Sequence, residues 1–178
     1  MRGRLADILN GRYRTVRQKI RSLFVDIGRL NVNVGGKASI GFSGDAVLFD
    51  DIGSRVGGDL PREYIYFIQT VDGGHPEVGS FLLPGGNADN YFDINWFYSF
   101  GDVRIENIDC ALGRWSDVLG PGMLPIGTDA GGNQIYLDLN DSPSAVWLYI
   151  HDEDKSRIRV ADSFGDFVSS LTMNPDFV

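Results

Sequence analysis

The sequence predicts an α+β domain with a mostly antiparallel or mixed central sheet that is flanked by helices. The first observation behind this prediction is the segment 124–139, where a short apolar run, a Gly-rich turn and an alternating strand form a β-hairpin. The second is the nearly all-apolar run from Val146 to Ile150, which is typical of a strand. The third is a helix that begins after Ser163, with apolar residues at helical spacing.

The chain begins with a basic amphipathic helix, predicted for residues 1–30. Its apolar residues recur at helical spacing, in the order Leu9, Tyr13, Val16, Ile20, Leu23, Phe24 and Ile27. Gly28 is the predicted stop. A basic amphipathic helix can bind membranes or nucleic acid, and an Arg-rich start also resembles an organelle transit peptide. We favour a solvated face packed on an acidic body, because Asp7 and Asp26 interrupt the basic pattern and Gly11 breaks it.

Residues 31–178 are predicted to form the α+β domain. The segment 31–59 is rich in glycine and has one strand candidate, Ala46 to Phe49. Ser80 to Leu83 is the next predicted strand. A further strand is predicted from alternating apolar residues, which are Ile94, Trp96, Tyr98 and Phe100. We expect its aromatic residues in the core rather than in a ligand platform, because they share one face.

Helical and alternating patterns complete the second half of the chain. A helix before Pro121 is predicted from spacings of three, four and three, at Ile105, Ile108, Leu112 and Trp115. In the hairpin, the two faces alternate, with Ile135, Leu137 and Leu139 on one and Gln134, Tyr136 and Asp138 on the other. The residues with turn chemistry are Asp129, Gly131, Gly132 and Asn133. The last helix carries Phe164, Phe167, Val168 and Leu171 at helical spacing.

The order of hairpin, strand and capped helix resembles the SUKH superfamily, named for a fungal cell-wall-synthesis regulator and its bacterial relatives. A second block, Leu60 to Ile68 followed by Asp72-Gly73-Gly74, resembles the family's Leu-Pro-x-x-Tyr-x-x-Phe helix and its Asn-Gly-Gly turn. Asp72 stands where the family usually has Asn. The resemblance spans roughly residues 60–171. It assigns a structural role to Leu60, Pro61, Tyr64, Phe67, Gly73, Gly74, Ile126, Asp129, Gly132, Asn133, Ile135, Phe164 and Phe167.

Composition points to a globular domain with an uneven distribution of charge. Hydrophobic residues make up 43% of the 178 residues, and no apolar run approaches the roughly 20 residues of a membrane span. Cys110 is the single cysteine, so an internal disulfide is impossible, and we expect a cytoplasmic protein. Residues 1–30 hold eight basic and two acidic residues, whereas residues 31–178 hold eight basic and 22 acidic residues, a net charge of −14. An acidic body repels nucleic acid and anionic membranes, and it speeds the encounter with a basic protein.

The sequence contains no recognisable catalytic or metal-binding pattern. His75 and His151 have no second ligand at metal-binding spacing. A nucleophilic dyad of Cys110 with either histidine stays open, but we interpret Cys110 as a buried structural cysteine. The expectation is therefore a protein with no catalytic residue, no metal and no cofactor. A paired-carboxylate glycosidase stays open by residue type, since such a site needs only two carboxyl groups about 5 to 10 Å apart.

The resemblance implies a non-catalytic protein that binds a partner, most simply an immunity protein that neutralises a bacterial toxin, often a nuclease. The carboxylates that we expect to face a basic toxin domain are Asp50, Asp51, Asp152, Glu153 and Asp154. For Asp152 to Asp154, the alternative is a solvated turn between strands. A regulatory scaffold is the second hypothesis, and an enzyme acting on a carbohydrate or small ligand is the third. Nucleic acid and membrane are not expected as partners, and the sequence leaves the oligomeric state open.

Overall fold

The computed structural model describes residues 25–86, 91–102, 106–153 and 156–174. Most of the amphipathic helix predicted for residues 1–30 lies outside these ranges. Of that segment, residues 25–30 are described and include a short 3-10 helix, Gly28–Leu30. The side chains of Val25, Ile27 and Leu30 are buried in the main core.

A six-stranded antiparallel sheet, curled into a half-barrel, forms the centre of the fold. Strands that follow one another in the chain also lie side by side, in the order β3-β4-β5-β6-β7-β8. Their bounds are β3 Ser80–Leu82, β4 Tyr91–Phe97, β5 Met123–Asp129, β6 Gln134–Asp138, β7 Ala145–Ile150 and β8 Ser156–Ala161. A separate antiparallel pair consists of β1 (Asn33–Val34) and β2 (Lys37–Ala38). The fold class predicted from the sequence is confirmed.

Four α-helices are present in the described part of the chain: α1 Val47–Val56, α2 Arg62–Thr70, α3 Ile108–Leu119 and α4 Phe164–Ser170. Side-chain caps set the start of two of them. Asn107 accepts a hydrogen bond from the Cys110 amide at 3.0 Å, and Ser163 accepts one from the Asp166 amide at 3.0 Å. Each cap satisfies a backbone donor that the first helical turn leaves unpaired.

The strand predicted from Ala46 to Phe49 is wrong, because α1 begins there. The carboxylate of Asp45 accepts a hydrogen bond from the Val47 amide at 3.0 Å at the start of this helix. Phe49, Ile52 and Val56 are buried and recur every three or four residues. An apolar run of four residues is too short for its periodicity to distinguish a strand from a buried helical turn.

Two further boundaries differ from the predicted pattern. β4 ends at Phe97, so Tyr98 and Phe100 lie beyond the strand, although both side chains are buried as expected. Trp96 is only partly buried, and Phe97 lies in the core instead, because the register shifts between Ile94 and Trp96. α3 begins at Ile108, and Ile105 lies outside the described residues. β8 has no counterpart among the predicted strands, although its residues alternate in burial.

The motif helix α2 and the last helix α4 pack together through their apolar faces. The ring of Phe164 lies 5.2 Å from that of Tyr64 and 5.4 Å from that of Phe67, both in edge-to-face geometry. The carboxylate of Glu63 also accepts a hydrogen bond from the Gly165 amide at 2.8 Å. α2 and α4 therefore form one layer over the inner face of the sheet.

The Gly-Gly turn after α2 is a tight backbone crossing. Gly73 has φ of 69° and Gly74 has φ of 121°, a region that favours glycine. A Cβ at Gly73 would lie 2.6 Å from the carbonyl oxygen of Phe97, and a Cβ at Gly74 would lie 2.6 Å from that of Asn33. The turn thus brings α2, β4 and the first small sheet into backbone contact.

At β6 both faces of the sheet are buried. Ile135 and Leu137 of β6 contribute to the main core, and Tyr136 lies on the other face. There a smaller cluster forms between the sheet and the C-terminal half of α3, and its members are Trp115, Leu119, Met123, Tyr136, Trp147 and Tyr149. The guanidinium of Arg157 lies 6.0 Å from the rings of both tyrosines of this cluster.

Candidate functional site

The β5–β6 turn is held by a small polar network. The amide and side-chain nitrogens of Asn133 donate to the carboxylate of Asp129 at 2.8 and 2.6 Å. The side-chain oxygen of Asn133 accepts a hydrogen bond from the His151 amide at 3.1 Å. Since Asp129 and Asn133 are both buried, these bonds replace the water that their polar groups lose on folding. The motif residues at this turn thus tie β6 to the end of β7.

A second buried polar pair joins β4 to β6. The hydroxyl of Tyr98 donates to the side-chain oxygen of Gln134 at 2.7 Å, and both residues are buried. Burial, assisted by the nearby negative charge of Glu106, raises the pKa of the Tyr98 hydroxyl to about 12. The group therefore stays protonated and acts as a structural donor.

Asp72 lies below the first small sheet and closes the loop after β4. Its carboxylate accepts hydrogen bonds from the amides of Phe100 at 2.6 Å and Gly101 at 2.9 Å. Burial raises the pKa of Asp72 above its usual value, the negative charge of Asp102 adds to the increase, and these backbone bonds oppose it. The geometry indicates a loop-holding role for Asp72.

Asp50 and Asp51, two of the predicted partner-binding residues, are exposed on α1. Arg55 lies 3.6 Å from the Asp51 carboxylate and 2.6 Å from that of Asp109 on α3. The carboxylate of Asp50 makes no hydrogen bond or ion pair with any other described residue. The charge of Asp51 is therefore partly compensated by Arg55, whereas that of Asp50 is open to a partner.

Asp152 and Glu153 are exposed at the opposite end of the sheet. They follow β7 directly in the β7–β8 turn, next to the β5–β6 turn that Asn133 holds. Asp154 lies outside the described residues. The C-terminal end of α1, in contrast, contacts the chain before β5, where the Gly122 amide donates to the Val56 carbonyl at 2.9 Å.

The structure therefore separates the predicted acidic residues into two groups. The six residues of β7 lie between the two ends of the sheet, a distance of about 20 Å at roughly 3.3 Å per residue. Asp50 and Asp51 lie near one end, and Asp152 and Glu153 lie at the other. Their role in partner binding stays a prediction.

A groove of about 550 Å³ opens between α1 and the start of α2, and we call it the α1–α2 groove. It is lined by Phe49, Asp50, Gly53, Ser54, Gly57, Gly58, Asp59, Leu60 and Ile65. Its shape depends on a close approach of the backbone, because a Cβ at Gly53 would lie 2.8 Å from the carbonyl oxygen of Gly58. Asp50 is the one predicted partner-binding residue in this lining.

Asp59 also lines this groove, but it is not among the partner-binding residues predicted from the sequence. It is exposed and makes no hydrogen bond or ion pair within the described residues, as is true of Asp50. The available signal was its place after Gly57-Gly58 and immediately before Leu60, the first residue of the motif helix.

His75 and Cys110 are the residue types that could take part in metal or nucleophilic chemistry. His75 Nδ1 lies 2.8 Å from the carbonyl oxygen of Asn95. The prediction of a buried structural Cys110 is wrong, because the residue lies on the solvent side of α3 beside Asp109, whereas Ala111 and Leu112 point into the protein. Among the described residues, no group of three or more His, Cys, Asp or Glu side chains is placed to hold a metal ion. Nor is any described helix long and apolar enough to cross a membrane.

Comparisons with known proteins agree with the resemblance drawn from the sequence. The family model for the SMI1 / KNR4 family (SUKH-1) matches residues 45–170. The chain is also similar to the SPbeta prophage-derived uncharacterized protein YokK of Bacillus subtilis (strain 168). The two are 22% identical over 177 residues, which cover 90% of this chain and 86% of that protein.

Proposed function

Because the chain belongs to the SMI1 / KNR4 family (SUKH-1), whose members are generally immunity proteins, we propose that it binds and neutralises a bacterial toxin. The proposed partner is a basic toxin domain, such as a nuclease, and the proposed action is steric occlusion of its active site without catalysis. A nuclease groove that holds phosphates is positively charged, so an acidic protein can occupy it in place of the nucleic acid.

The observation that carries this proposal is the net charge of −14 over residues 31–178. Unpaired carboxylates support it further, because Asp50 and Asp59 are exposed beside the α1–α2 groove with no cation bound to them in the described part of the chain. Charge complementarity of this kind increases the association rate and selects against acidic partners.

Co-expression tests the proposal directly. A toxin gene adjacent to this gene is expressed alone and together with this protein, and the purified toxin domain is titrated into the protein by calorimetry. We expect protection of the cells and a one-to-one complex. Equal killing in both strains, with no heat of binding, would contradict immunity and leave the regulatory scaffold as the function to pursue.

A further inference from the structure

The α1–α2 groove combines features that suit one kind of side chain. Its two carboxylates, Asp50 and Asp59, are exposed, and no hydrogen bond or ion pair within the described residues engages them. The neighbouring Asp51 differs, because Arg55 lies 3.6 Å from its carboxylate. Asp50 and Asp59 therefore place negative charge at the groove that no cationic side chain among the described residues pairs.

The end of α1 adds to the negative potential of the groove. The helix ends at Val56, and Gly57, with φ of 97°, terminates it with its amide bonded to the Gly53 carbonyl at 2.8 Å. Gly53 and Gly57 both line the groove. The C-terminal end of a helix carries a partial negative charge from its aligned peptide dipoles, and that charge favours a cation.

Apart from Ser54 and the glycines, the remaining lining of the groove is apolar. Phe49 and Leu60 are buried side chains, Ile65 is partly buried, and all three belong to or pack against the main core. An arginine side chain matches this combination, because its methylene stem can lie on apolar surface while its planar guanidinium offers five N–H donors to carboxylates and carbonyl groups.

We propose that the α1–α2 groove is the anchor site for an arginine side chain of the protein partner. The inference rests on the proposed function for the identity of that partner, and it names the contact that the partner makes. The guanidinium binds Asp50 and Asp59 at the edge of the groove, and the stem lies on the floor that Phe49 and Leu60 provide. A basic partner that inserts such a side chain gains a buried, charge-assisted contact at the centre of its interface.

The test uses a small probe rather than the partner. N-acetyl-arginine methylamide is titrated into the full chain while amide NMR shifts are recorded, and N-acetyl-citrulline methylamide serves as the uncharged probe of the same shape. We expect saturable shifts at Ser54, Gly57 and Gly58 with the arginine probe, and at least tenfold weaker binding of the citrulline probe.

Two variants with equal charge changes locate the site. D50N/D59N should weaken arginine binding at least tenfold, whereas D152N/E153Q, at the other end of the sheet, should leave it within twofold of the unchanged protein. A third variant, Ser54→Trp, fills the groove without a change in charge and should abolish the shifts. Far-UV circular dichroism establishes that each variant folds.

Shifts that are scattered over the acidic surface, or equal losses in the two carboxamide variants, would overturn the proposal, because both describe general charge attraction. Failure of the toxin experiment has a separate signature. If the arginine probe binds the groove but no toxin forms a complex, the anchor site stands and the immunity function fails. If a toxin binds equally well to the unchanged protein and to D50N/D59N, and the probe does not bind, the anchor site fails alone.

Discussion

At the scale of single residues, Asp72 illustrates how one substitution within a motif changes the chemistry of a site. The motif that the sequence resembles has a neutral Asn at this position, whereas Asp72 places an ionisable carboxyl group in a partly buried position. Its carboxylate is stabilised by amides from Phe100 and Gly101, and destabilised by burial and by Asp102. Burial has the larger effect, and the pKa of Asp72 is therefore raised.

A raised pKa makes stability depend on pH in a defined direction. The folded protein binds the Asp72 proton more tightly than the unfolded chain does, so this residue contributes most to stability below its unfolded pKa of about 3.8. That contribution is lost as the pH rises through the folded pKa. The variant D72N cannot ionise, so the unfolding free energy of the unchanged protein should fall relative to that of D72N as the pH rises above about 4.

Urea denaturation of both proteins from pH 3.5 to pH 7 measures this difference. Near-UV circular dichroism checks that D72N keeps the native packing of its aromatic residues. Parallel pH profiles for the two proteins would show that Asp72 ionises as easily in the folded state as in the unfolded chain.

At the scale of elements, the contact between α2 and α4 is the main apolar junction outside the sheet. Phe164 is 1% exposed and contacts Tyr64 and Phe67 of α2 through its ring edge. Aromatic pairs in this geometry contribute energy beyond the area that they bury. The motif helix and the last helix are about 100 residues apart in the chain. This junction makes them neighbours in the fold.

Phe164→Ala should therefore lower the free energy of unfolding by about 3 to 5 kcal/mol, because it removes a buried ring and leaves a cavity between the two helices. Chemical denaturation measures this loss. The matched control is Leu82→Ala in β3, where the side chain is 40% exposed and the expected loss is below about 1 kcal/mol. A loss below about 1 kcal/mol for Phe164→Ala as well would be inconsistent with the packing of α4 on α2.

At the scale of the whole molecule, the acidic residues are distributed over both ends of the sheet. Asp50, Asp51 and Asp59 lie near the end that α1 contacts, and Asp152 and Glu153 lie at the end formed by the turns. A toxin domain that occupies one end leaves the other end exposed to solvent. The net charge attracts a basic partner to either end of the sheet, whereas the short-range contacts of a complex form at only one end.

Charge reversal distinguishes the two ends. D50K/D51K and D152K/E153K change the net charge equally, so their long-range effects should be similar. We expect D50K/D51K to slow association with the toxin domain about tenfold more than D152K/E153K, because Asp50 lines the proposed anchor site. Stopped-flow measurements at several salt concentrations test this, and association of the unchanged protein should slow as the salt concentration rises.

Equal slowing by the two double variants would mean that net charge alone guides the encounter. A larger effect of D152K/E153K would place the toxin at the end of the sheet that the turns form.

The sequence by itself determined those parts of the fold that depend on local periodicity. The alternation of Gln134 to Asp138, the apolar run of β7 and the cap at Ser163 each act over a few neighbouring residues, so the strands and the helix can be recognised without tertiary contacts. The charge imbalance between residues 1–30 and 31–178 is likewise a property of composition. The family resemblance followed from the order of these local signals.

Tertiary structure alone decided the features that depend on distant contacts. The run Ala46 to Phe49 is ambiguous by itself, and it became helical because Phe49, Ile52 and Val56 bury one face against the core. Asp50 and Asp59 belong to one groove because the backbone at Gly53 and Gly58 comes close together. The acidic residues at the two ends of the sheet are separated by the length of a strand. Local propensity cannot encode these relations, since each depends on how the elements pack in space.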